Sequence, residues 1–385
     1  MKLLHTSDWH LGRIFNQRSL LEDQAYVLDQ IIAYAKDYAV DAVVVAGDIY
    51  DRALPAADAV NLLNKTLNTL IEDVKVPVIM ISGNHDGADR LGFAANLLKT
   101  SGLHLFTSFE QLFKPVQLAT NAGELVLWGI PYCDPEQVRD FFGVKVSDHQ
   151  SAQEYVTGQL KKHMHEHYSE ECCHVVISHS FIDGGSESDS ERPLSIGGAD
   201  RVSADLFRDF AYTALGHLHQ AQYKGQQNIR YSGSPLKYSF SEVTQKKSVT
   251  LVSFDTEQNV SHQLLPLSPL RDVRVLEGNF DQLLAAAVDD PNSDDYLQIK
   301  LTDQQAILDP LARLRTVYPN VLDLTKLSTQ RQSSEAVRSR EQLAREPLDI
   351  IDDFYQDVIG DGLSAEQRSL LNDVLQDLNR NQQDS

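Results

Sequence analysis

Five short segments of this sequence carry side chains that ligate divalent cations, and each lies where an apolar run ends. They are Asp8 and His10 in "SDWHLG", Asp48 in "GDIYDR", Asn84 and His85 in "GNHDG", His179 in "ISHS", and His217 and His219 in "GHLH". Carboxylate, amide and imidazole donors together suit Mn²⁺, Fe²⁺ or Zn²⁺ rather than a thiolate-type structural site. Each segment alone has a blander reading. A lone Asp-x-His is a common capped loop, "GDIYDR" and "GNHDG" can be turns because Gly, Asn and Asp accept turn backbone angles, and "GHLH" at alternating spacing puts both imidazoles on one face of a half-exposed strand. Five such segments, all leaving apolar runs in the order DxH, GDxxD, GNHD, H, GHxH, point to one centre with ligands enough for two metals.

Two cations ~3.5–4 Å apart can clamp a phosphate, activate water near neutral pH and offset the charge of an in-line transition state, which is the chemistry of phosphoester hydrolysis. A carboxylate shared between them holds that spacing, and Asp48, in the middle of the set, is the candidate bridge. The leaving oxygen needs a proton. His85 sits beside a ligand, and imidazole is a side-chain type suited to general-acid work, with Asp86 next to it as a candidate to orient it. His5, His104, His149, His174 and the trio His163, His165 and His167 have no such context, and His163 and His167, four apart, read as a solvated helix face.

The elements needed to hold these residues are legible in outline. A strand over 2–6, a helix over 20–36, a strand over 42–46, a helix marked by Val60, Leu63, Leu67 and Leu70, and a strand in "VPVIMI" give a βαβαβ alternation. Crossovers long enough for helices argue for a largely parallel sheet covered on both faces, and ligands gather beyond the carboxyl ends of such strands. Apolar runs at 125–132, 174–180 and 212–219 continue the pattern, followed by strands in "NIRYSGS" and "SVTLVSF". From about 270 the reading is strand, helix, strand, helix, strand, which suits a small second α/β domain over 270–325. A polar stretch over 326–347 reads as a linker. Two amphipathic helices over 348–385 close the chain, the first carrying Ile350, Ile351, Phe354 and Val358, the second opening on a Ser364/Gln367 capping box before Leu371, Val374, Leu375 and Leu378.

The formal net charge of −21 over 385 residues argues against a chain that coats nucleic acid unaided, although salt screening over ~8 Å leaves room for a local cationic site. No apolar run approaches the ~18 residues of a membrane span and the N-terminus lacks a secretory pattern, so a cytoplasmic protein is expected. Cys133, Cys172 and Cys173, odd in number and without CxxC spacing, read as reduced thiols.

The ordered set of metal-type motifs resembles the calcineurin-like metallophosphoesterase superfamily. The segments "KLLHTSDWHLGR", "VVVAGDIYDR", "SGNHDGADRL", "SIGGADRVSADLF", "TALGHLHQAQ" and "YSGSPLKYSFSE" narrow the resemblance to its SbcD-type nuclease family, strongly over 1–270. That resemblance implies a four-layer α/β/β/α sandwich over 1–269 rather than the single open sheet that alternation alone would draw, with 270–325 as a capping, DNA-binding domain. It implies two Mn²⁺ ions, one held by Asp8, His10, Asp48 and His219, the other by Asp48, Asn84, His179 and His217, with His85 protonating the leaving oxygen or stabilising the transition state. Archaeal and eukaryotic relatives carry a histidine three residues after the bridging aspartate where this chain has Asp51, which leaves Asp51 a supporting role. The family works as a homodimer bound to an SbcC-type coiled-coil ATPase, and the terminal helices are the candidate docking element for it. The implied activity is that of a metal-dependent DNA nuclease in repair, recombination and replication, an ATP-dependent exonuclease on duplex ends and an endonuclease on single strands and hairpins. With the ATPase supplying most of the DNA surface, Arg13, Arg52, Arg90 and Arg201 are candidates for local DNA contacts, and Trp9 packs its loop. A small-substrate phosphatase or cyclic-nucleotide phosphodiesterase with the same metal core and a non-catalytic scaffold are the rival readings; protein phosphatases typically read GDxVDRG and GNHE, unlike this chain, and a scaffold would be expected to lose ligands.

Overall fold

The first strand, Lys2–Thr6, sends alternate side chains to two different cores, and that alternation organises the chain. The computed structural model describes residues 1–120, 123–169, 172–192, 200–257, 259–327, 348, 351–352, 355 and 362–383. Leu4, Val43, Val45, Val78 and Met80 pack under the helices Leu21–Asp37 and Ala57–Asn68. Leu3, Val44, Ile79 and Ile81 face the other way, against Leu127, Val175, Ile177 and Ala214 of a second sheet. Val126, Trp128, Ile130 and Val176 then turn outward from that sheet to meet Val156 and Leu160 of the helix His149–His167. The result is four layers, helix, sheet, sheet, helix. Alternation alone cannot distinguish it from one open sheet, because strands buried on both faces read as continuous apolar runs in either case.

The first sheet runs Val260–Pro266, Ser248–Phe254, Lys2–Thr6, Ala42–Val45, Val78–Ile81, Leu103–Phe106; the second runs Gln222–Lys224, Gln226–Tyr231, Tyr212–Gly216, Cys173–His179, Gly123–Ile130, Val116–Thr120. Strands Lys2–Thr6, Ala42–Val45, Val78–Ile81 and Leu103–Phe106 are mutually parallel, as are the inner four of the second sheet. Their carboxyl ends therefore share one edge of each sheet. Leu103–Phe106, Val116–Thr120 and Val260–Pro266 go unmarked in the sequence reading; the last is mostly exposed and mixes Ser, His and Gln with its apolar residues.

His5 is buried in the inter-sheet layer, its Nδ1 2.9 Å from the Tyr212 hydroxyl and its Nε2 3.2 Å from the Leu215 carbonyl. The small domain is a parallel three-stranded sheet, Val273–Gly278, Tyr296–Leu301 and Val321–Lys326, with helices Phe280–Ala286 and Pro310–Arg315 around Phe280, Leu297, Ile299, Leu314 and Val321. The Tyr296 hydroxyl and the Arg271 guanidinium both donate to the buried Asp23 carboxylate, at 2.8 and 2.9 Å, and tie this domain to the first helix. Residues Met1–Leu327 form one compact unit and Ser328–Ser385 a second.

In the second unit the expected capping box forms: Ser364 N–H donates to Gln367 Oε1 at 2.9 Å and Gln367 N–H to Ser364 Oγ at 3.3 Å, opening the helix Ala365–Gln383. Leu370 and Val374 on this helix are exposed. The expected linker falls, over 328–347, outside the described residues, as do Ile350, Phe354 and Val358 of the expected preceding helix. No described helix is long and apolar enough to cross a membrane.

Candidate metal centre

Each ligand-type residue leaves the carboxyl end of a parallel strand, and the loops that follow are locked to one another by their backbones. Asp8 N–H donates to the Gly47 carbonyl at 3.1 Å and His10 N–H to the Asp48 carbonyl at 3.0 Å. The side chains close the remaining gaps: Asp8 Oδ1 accepts from His217 N–H and Asp48 Oδ1 from His85 N–H, both at 2.9 Å. Asp8, His10, Asp48 and His217 all adopt positive φ, at 53°, 45°, 50° and 109°. Such backbone costs about 1–3 kcal/mol per residue and persists where the surroundings over-determine it. The strand Tyr212–Gly216 ends before the two histidines, so His217 and His219 lie on a loop and not on one strand face as their alternating spacing suggests. Two motif glycines are there for closeness. A Cβ on Gly83 would sit 2.2 Å from Asp48 Oδ1, and one on Gly216 1.8 Å from the Ala46 carbonyl oxygen.

The seven candidate ligands converge. His10 Nε2 lies 3.1 Å from His219 Nε2. Asp48 Oδ2 stands between two imidazoles, 3.7 Å from His10 Nε2 and 3.4 Å from His179 Nε2. Asn84 Oδ1 is 2.9 Å from His179 Nε2 and 3.3 Å from His217 Nδ1. Asp8, His10 and His219 form one compact cluster of ligand atoms, and Asp8, Asp48 and His179 another. Asp8 Oδ2 is buried with no hydrogen-bond partner. Among the described residues, every group of three or more potential ligands belongs to this region. The His163 and His167 rings are 4.3 Å apart on their helix, and among the described residues no third ligand joins them.

Burial sets the charge states. It drives the His10 and His217 imidazoles well below their ordinary value, leaving both neutral. It pushes the Asp8 carboxyl up to about 6. For Asp48 burial acts upward, but the adjacent His179 outweighs it and holds the carboxyl well below the usual range. The His179 imidazole, which burial would lower, is raised to about 9 by that same carboxylate. Without a cation this pair is a buried imidazolium–carboxylate contact.

His85 Nδ1 lies 2.9 Å from the Asp51 carbonyl oxygen, an acceptor only, so Nδ1 carries the hydrogen and Nε2 is left with its lone pair. His85 is thus oriented by the Asp51 backbone and not, as its neighbour in sequence suggests, by Asp86. The Asp86 carboxylate instead accepts three backbone N–H groups, from Ile49 at 3.1 Å, Tyr50 at 2.9 Å and Gly83 at 2.9 Å, and fastens the Asp48 loop to the Asn84 loop. The Asp51 side chain lies 3.9 Å from His10 Nδ1 and accepts from Arg13 Nη1 at 2.8 Å.

Of the four candidate DNA-contacting arginines, Arg13 is therefore beside the centre, its guanidinium also 5.6 Å from the Tyr238 ring. Arg52 is exposed, 3.7 Å from Asp51. Arg90 lines a groove of about 810 Å³ that opens at Asn84 and Tyr132. Arg201 is farther out, 3.3 Å from Asp183 and stacked over Phe181 at 5.4 Å. Trp9 is fully buried and donates to Thr6 Oγ1 at 2.9 Å.

Several residues that support the centre carry no signal as single letters. The Gln24 side-chain amide bonds the Trp9 and His10 carbonyls at 3.1 and 2.8 Å. Ser190, Glu191, Glu242 and Lys247 surround His219. Of these only Glu242 sits in a recognisable segment, as the last residue of "YSFSE".

The family model for the calcineurin-like phosphoesterase matches residues 1–221, and that for the type 5 capsule protein repressor C-terminal domain matches 269–358. The SbcD component of the nuclease SbcCD from Staphylococcus saprophyticus is 35% identical over 97% of this chain and 98% of its own length. The chain belongs to the SbcD family of calcineurin-like phosphoesterases. The SbcD family protein of Staphylococcus epidermidis, likewise a component of the nuclease SbcCD, is 34% identical over 97% of this chain and 98% of that one. A crystal structure of a dimetal phosphatase from Danio rerio shares 12% identity over 70% of this chain and 99% of that chain, at a TM-score of 0.40. As an SbcD family member the chain is a metal-dependent phosphodiester hydrolase.

Proposed function

We propose that this chain is the nuclease subunit of a two-component complex and cleaves DNA phosphodiesters at a centre of two divalent metals, most simply Mn²⁺. The carrying observation is the convergence of seven ligand-type side chains from five strand ends, with Asp48 Oδ2 between His10 and His179. The donors suit cations: Asp8 Oδ2 is buried without a partner, and the His10 and His219 Nε2 atoms, 3.1 Å apart, belong with it to one compact cluster of ligand atoms. Asp8, His10, Asp48 and His219 would hold one ion and Asp48, Asn84, His179 and His217 the other. Bound there, the ions would polarise the phosphodiester and lower the pKa of water.

The chain's own groups do the rest. His85, fixed through Nδ1–H on the Asp51 carbonyl, presents Nε2 to the leaving oxygen; as the imidazolium it gives up the Nε2 proton there and returns to the Nδ1–H neutral form. The Asp51 carboxylate steers Arg13 toward the substrate phosphate. Asp86 holds the two ligand loops in register.

The net charge of −21 fits a subunit that leaves most DNA binding to a partner. That partner is an SbcC-type coiled-coil ATPase, docked on the 348–385 helices after the 326–347 linker; the exposed Leu370 and Val374 supply the apolar stripe such docking needs. The domain over 270–325 caps the 1–269 nuclease domain over DNA. Leu54 and Phe93, both more than two-thirds exposed, line one groove and offer an apolar surface to a second copy of the chain in a homodimer. The working compartment is the cytoplasm, and the substrates are duplex ends, hairpins and single strands met in repair, recombination and replication.

The test compares linear duplex, hairpin DNA and a phosphopeptide in Mn²⁺, with and without the ATPase, for wild type and His85→Ala. The reading predicts cleavage of DNA, with duplex cleavage requiring ATP and the partner. Intact DNA beside a cleaved phosphopeptide would overturn it in favour of a phosphatase.

A further inference from the structure

Behind His219, on the side away from His10, lies a chain of buried polar groups that ends in an ion pair. His219 Nδ1 is 2.5 Å from the Ser190 hydroxyl, and that hydroxyl is 2.5 Å from Glu242 Oε1. Glu242 Oε2 receives Lys247 Nζ at 2.5 Å. Glu242 is fully buried and Lys247 nearly so. The direct approach of His219 Nδ1 to Glu242 Oε1 is 3.7 Å, too long for a hydrogen bond, so the serine is the link.

Counting hydrogens fixes the direction of the chain. A serine hydroxyl has one hydrogen to give. Glu242 Oε2 is ion-paired with the Lys247 ammonium at 2.5 Å and Oε1 also takes the Tyr238 backbone N–H at 3.2 Å, so both oxygens act as acceptors. Ser190 therefore donates to Glu242, and one of the two lone pairs on its oxygen accepts from His219 Nδ1–H, the other facing Ser188 Oγ at 3.0 Å. The hydrogen of the neutral imidazole is then on Nδ1, and the lone pair is on Nε2, the atom that faces His10 Nε2. The backbone of His219 is held by the same groups: its N–H donates to Glu191 Oε1 at 2.8 Å and its carbonyl accepts from Lys247 Nζ at 2.8 Å.

We propose that Ser190 and Glu242 are positioning residues for His219, relaying a hydrogen bond that fixes its tautomer and ring plane so that Nε2 is presented to a divalent cation. The arrangement is a carboxylate–serine–histidine relay, a longer version of the partner groups that orient metal-ligating histidines in general. Lys247 anchors it by neutralising the buried carboxylate and gripping the His219 carbonyl. Ser190 comes from a Ser- and Glu-rich loop between the His179 and His217 motifs, so this loop has to be ordered for His219 to be set. The inference rests on the metal-centre reading.

The test uses the full-length chain and two readouts that do not depend on turnover. Calorimetric titration with Mn²⁺ gives stoichiometry and affinity. Two-bond ¹H–¹⁵N correlation on the metal-free, ¹⁵N-histidine-labelled chain gives the His219 tautomer, assigned by the peaks lost in His219→Asn. Wild type should bind two Mn²⁺ with His219 as the Nδ1–H form. Ser190→Ala and Glu242→Gln should each weaken one of the two sites by about 10–100-fold and give a mixed tautomer, while Ser190→Thr, which restores the hydroxyl, should recover both. Thermal unfolding of Ser190→Ala near the wild-type temperature would show that the fold is not what changed. Unchanged Mn²⁺ affinity or an unchanged tautomer in Ser190→Ala overturns the proposal and leaves the metal centre standing. A wild type that takes up no Mn²⁺ overturns the metal-centre reading itself.

Discussion

The Nε2 atoms of His10 and His219 face each other at 3.1 Å in a fully buried setting, although the two residues come from opposite sheets of the sandwich. His10 is held neutral by burial, and its other ring nitrogen has no hydrogen-bond partner. Two imidazoles meeting edge to edge beside an unpartnered carboxylate oxygen of Asp8 form a cluster of ligand atoms that a cation satisfies. Removing the cation should therefore cost stability as well as activity. Saturating Mn²⁺ at about 100 times its Kd should stabilise the wild type by about 2.7 kcal/mol per independent site. Differential scanning fluorimetry with and without chelator measures this. Asp48→Asn, which removes the charge between His10 and His179, should lose most of the shift, and a full shift in that variant would contradict Asp48 as a shared ligand.

His85 is expected to separate chemistry from metal binding. Its ring is held through Nδ1 by the Asp51 carbonyl, and only its backbone N–H touches Asp48. Substituting His85→Ala keeps the backbone contact. Turnover should fall about 10²–10⁴-fold, the usual loss for a general acid, while Mn²⁺ stoichiometry stays at two. Single-turnover cleavage beside calorimetry checks both halves, and wild-type rate in His85→Ala would end the acid assignment.

Asp86 tests the framework. Its carboxylate satisfies the N–H groups of Ile49, Tyr50 and Gly83, which otherwise sit in a partly buried loop junction. Asp86→Ala leaves them without partners and should cost about 3 kcal/mol or more of stability, read from urea unfolding, with a parallel loss of Mn²⁺ affinity because the Asp48 and Asn84 loops part. Asp86→Asn, which keeps an acceptor oxygen, should lose clearly less.

His5 supplies a pH signature remote from the metals. Burial pulls its imidazole from 6.5 down to about 3 in the folded chain. Below pH 6.5 the unfolded state takes up a proton that the native state refuses, so stability is full above that pH and is lost as pH falls from 6.5 toward 3. At pH 5 the loss from this residue is about 2 kcal/mol, at ~1.4 kcal/mol per pH unit. His5→Asn should be less stable than wild type at pH 8 but show a shallower decline between pH 6.5 and 5 in denaturant titrations. Parallel declines would show that His5 is not the group responsible.

The parts of this centre that were legible in sequence share a physical reason. A ligand must stand at the end of a strand to reach a common point, so Asp8, Asp48, Asn84 and His179 announce themselves as polar residues ending apolar runs, and the order of the motifs carries the rest. What sequence conceals is contact made across long separations by ordinary residues. Ser190 and Glu242 look like surface letters until His219 is found between them and His10. Asp86 looks like a partner for its neighbour His85, yet its oxygens face backbone N–H groups on another loop. The second sheet is hidden for a similar reason: Leu3 and Leu4 are equally apolar, and nothing in their spacing says that Leu3 faces a sheet while Leu4 faces helices.

The most direct test of the central claim is Mn²⁺-dependent cleavage of a linear DNA duplex by the purified chain with its ATPase partner and ATP, measured for wild type and for Asp48→Asn at matched folding stability. The two-metal centre predicts nucleotide release that needs Mn²⁺, stops on chelation and falls by at least about 10³-fold in Asp48→Asn, corresponding to ~4 kcal/mol of transition-state stabilisation. Duplex cleavage that survives chelation, or proceeds at the wild-type rate in Asp48→Asn, would contradict it.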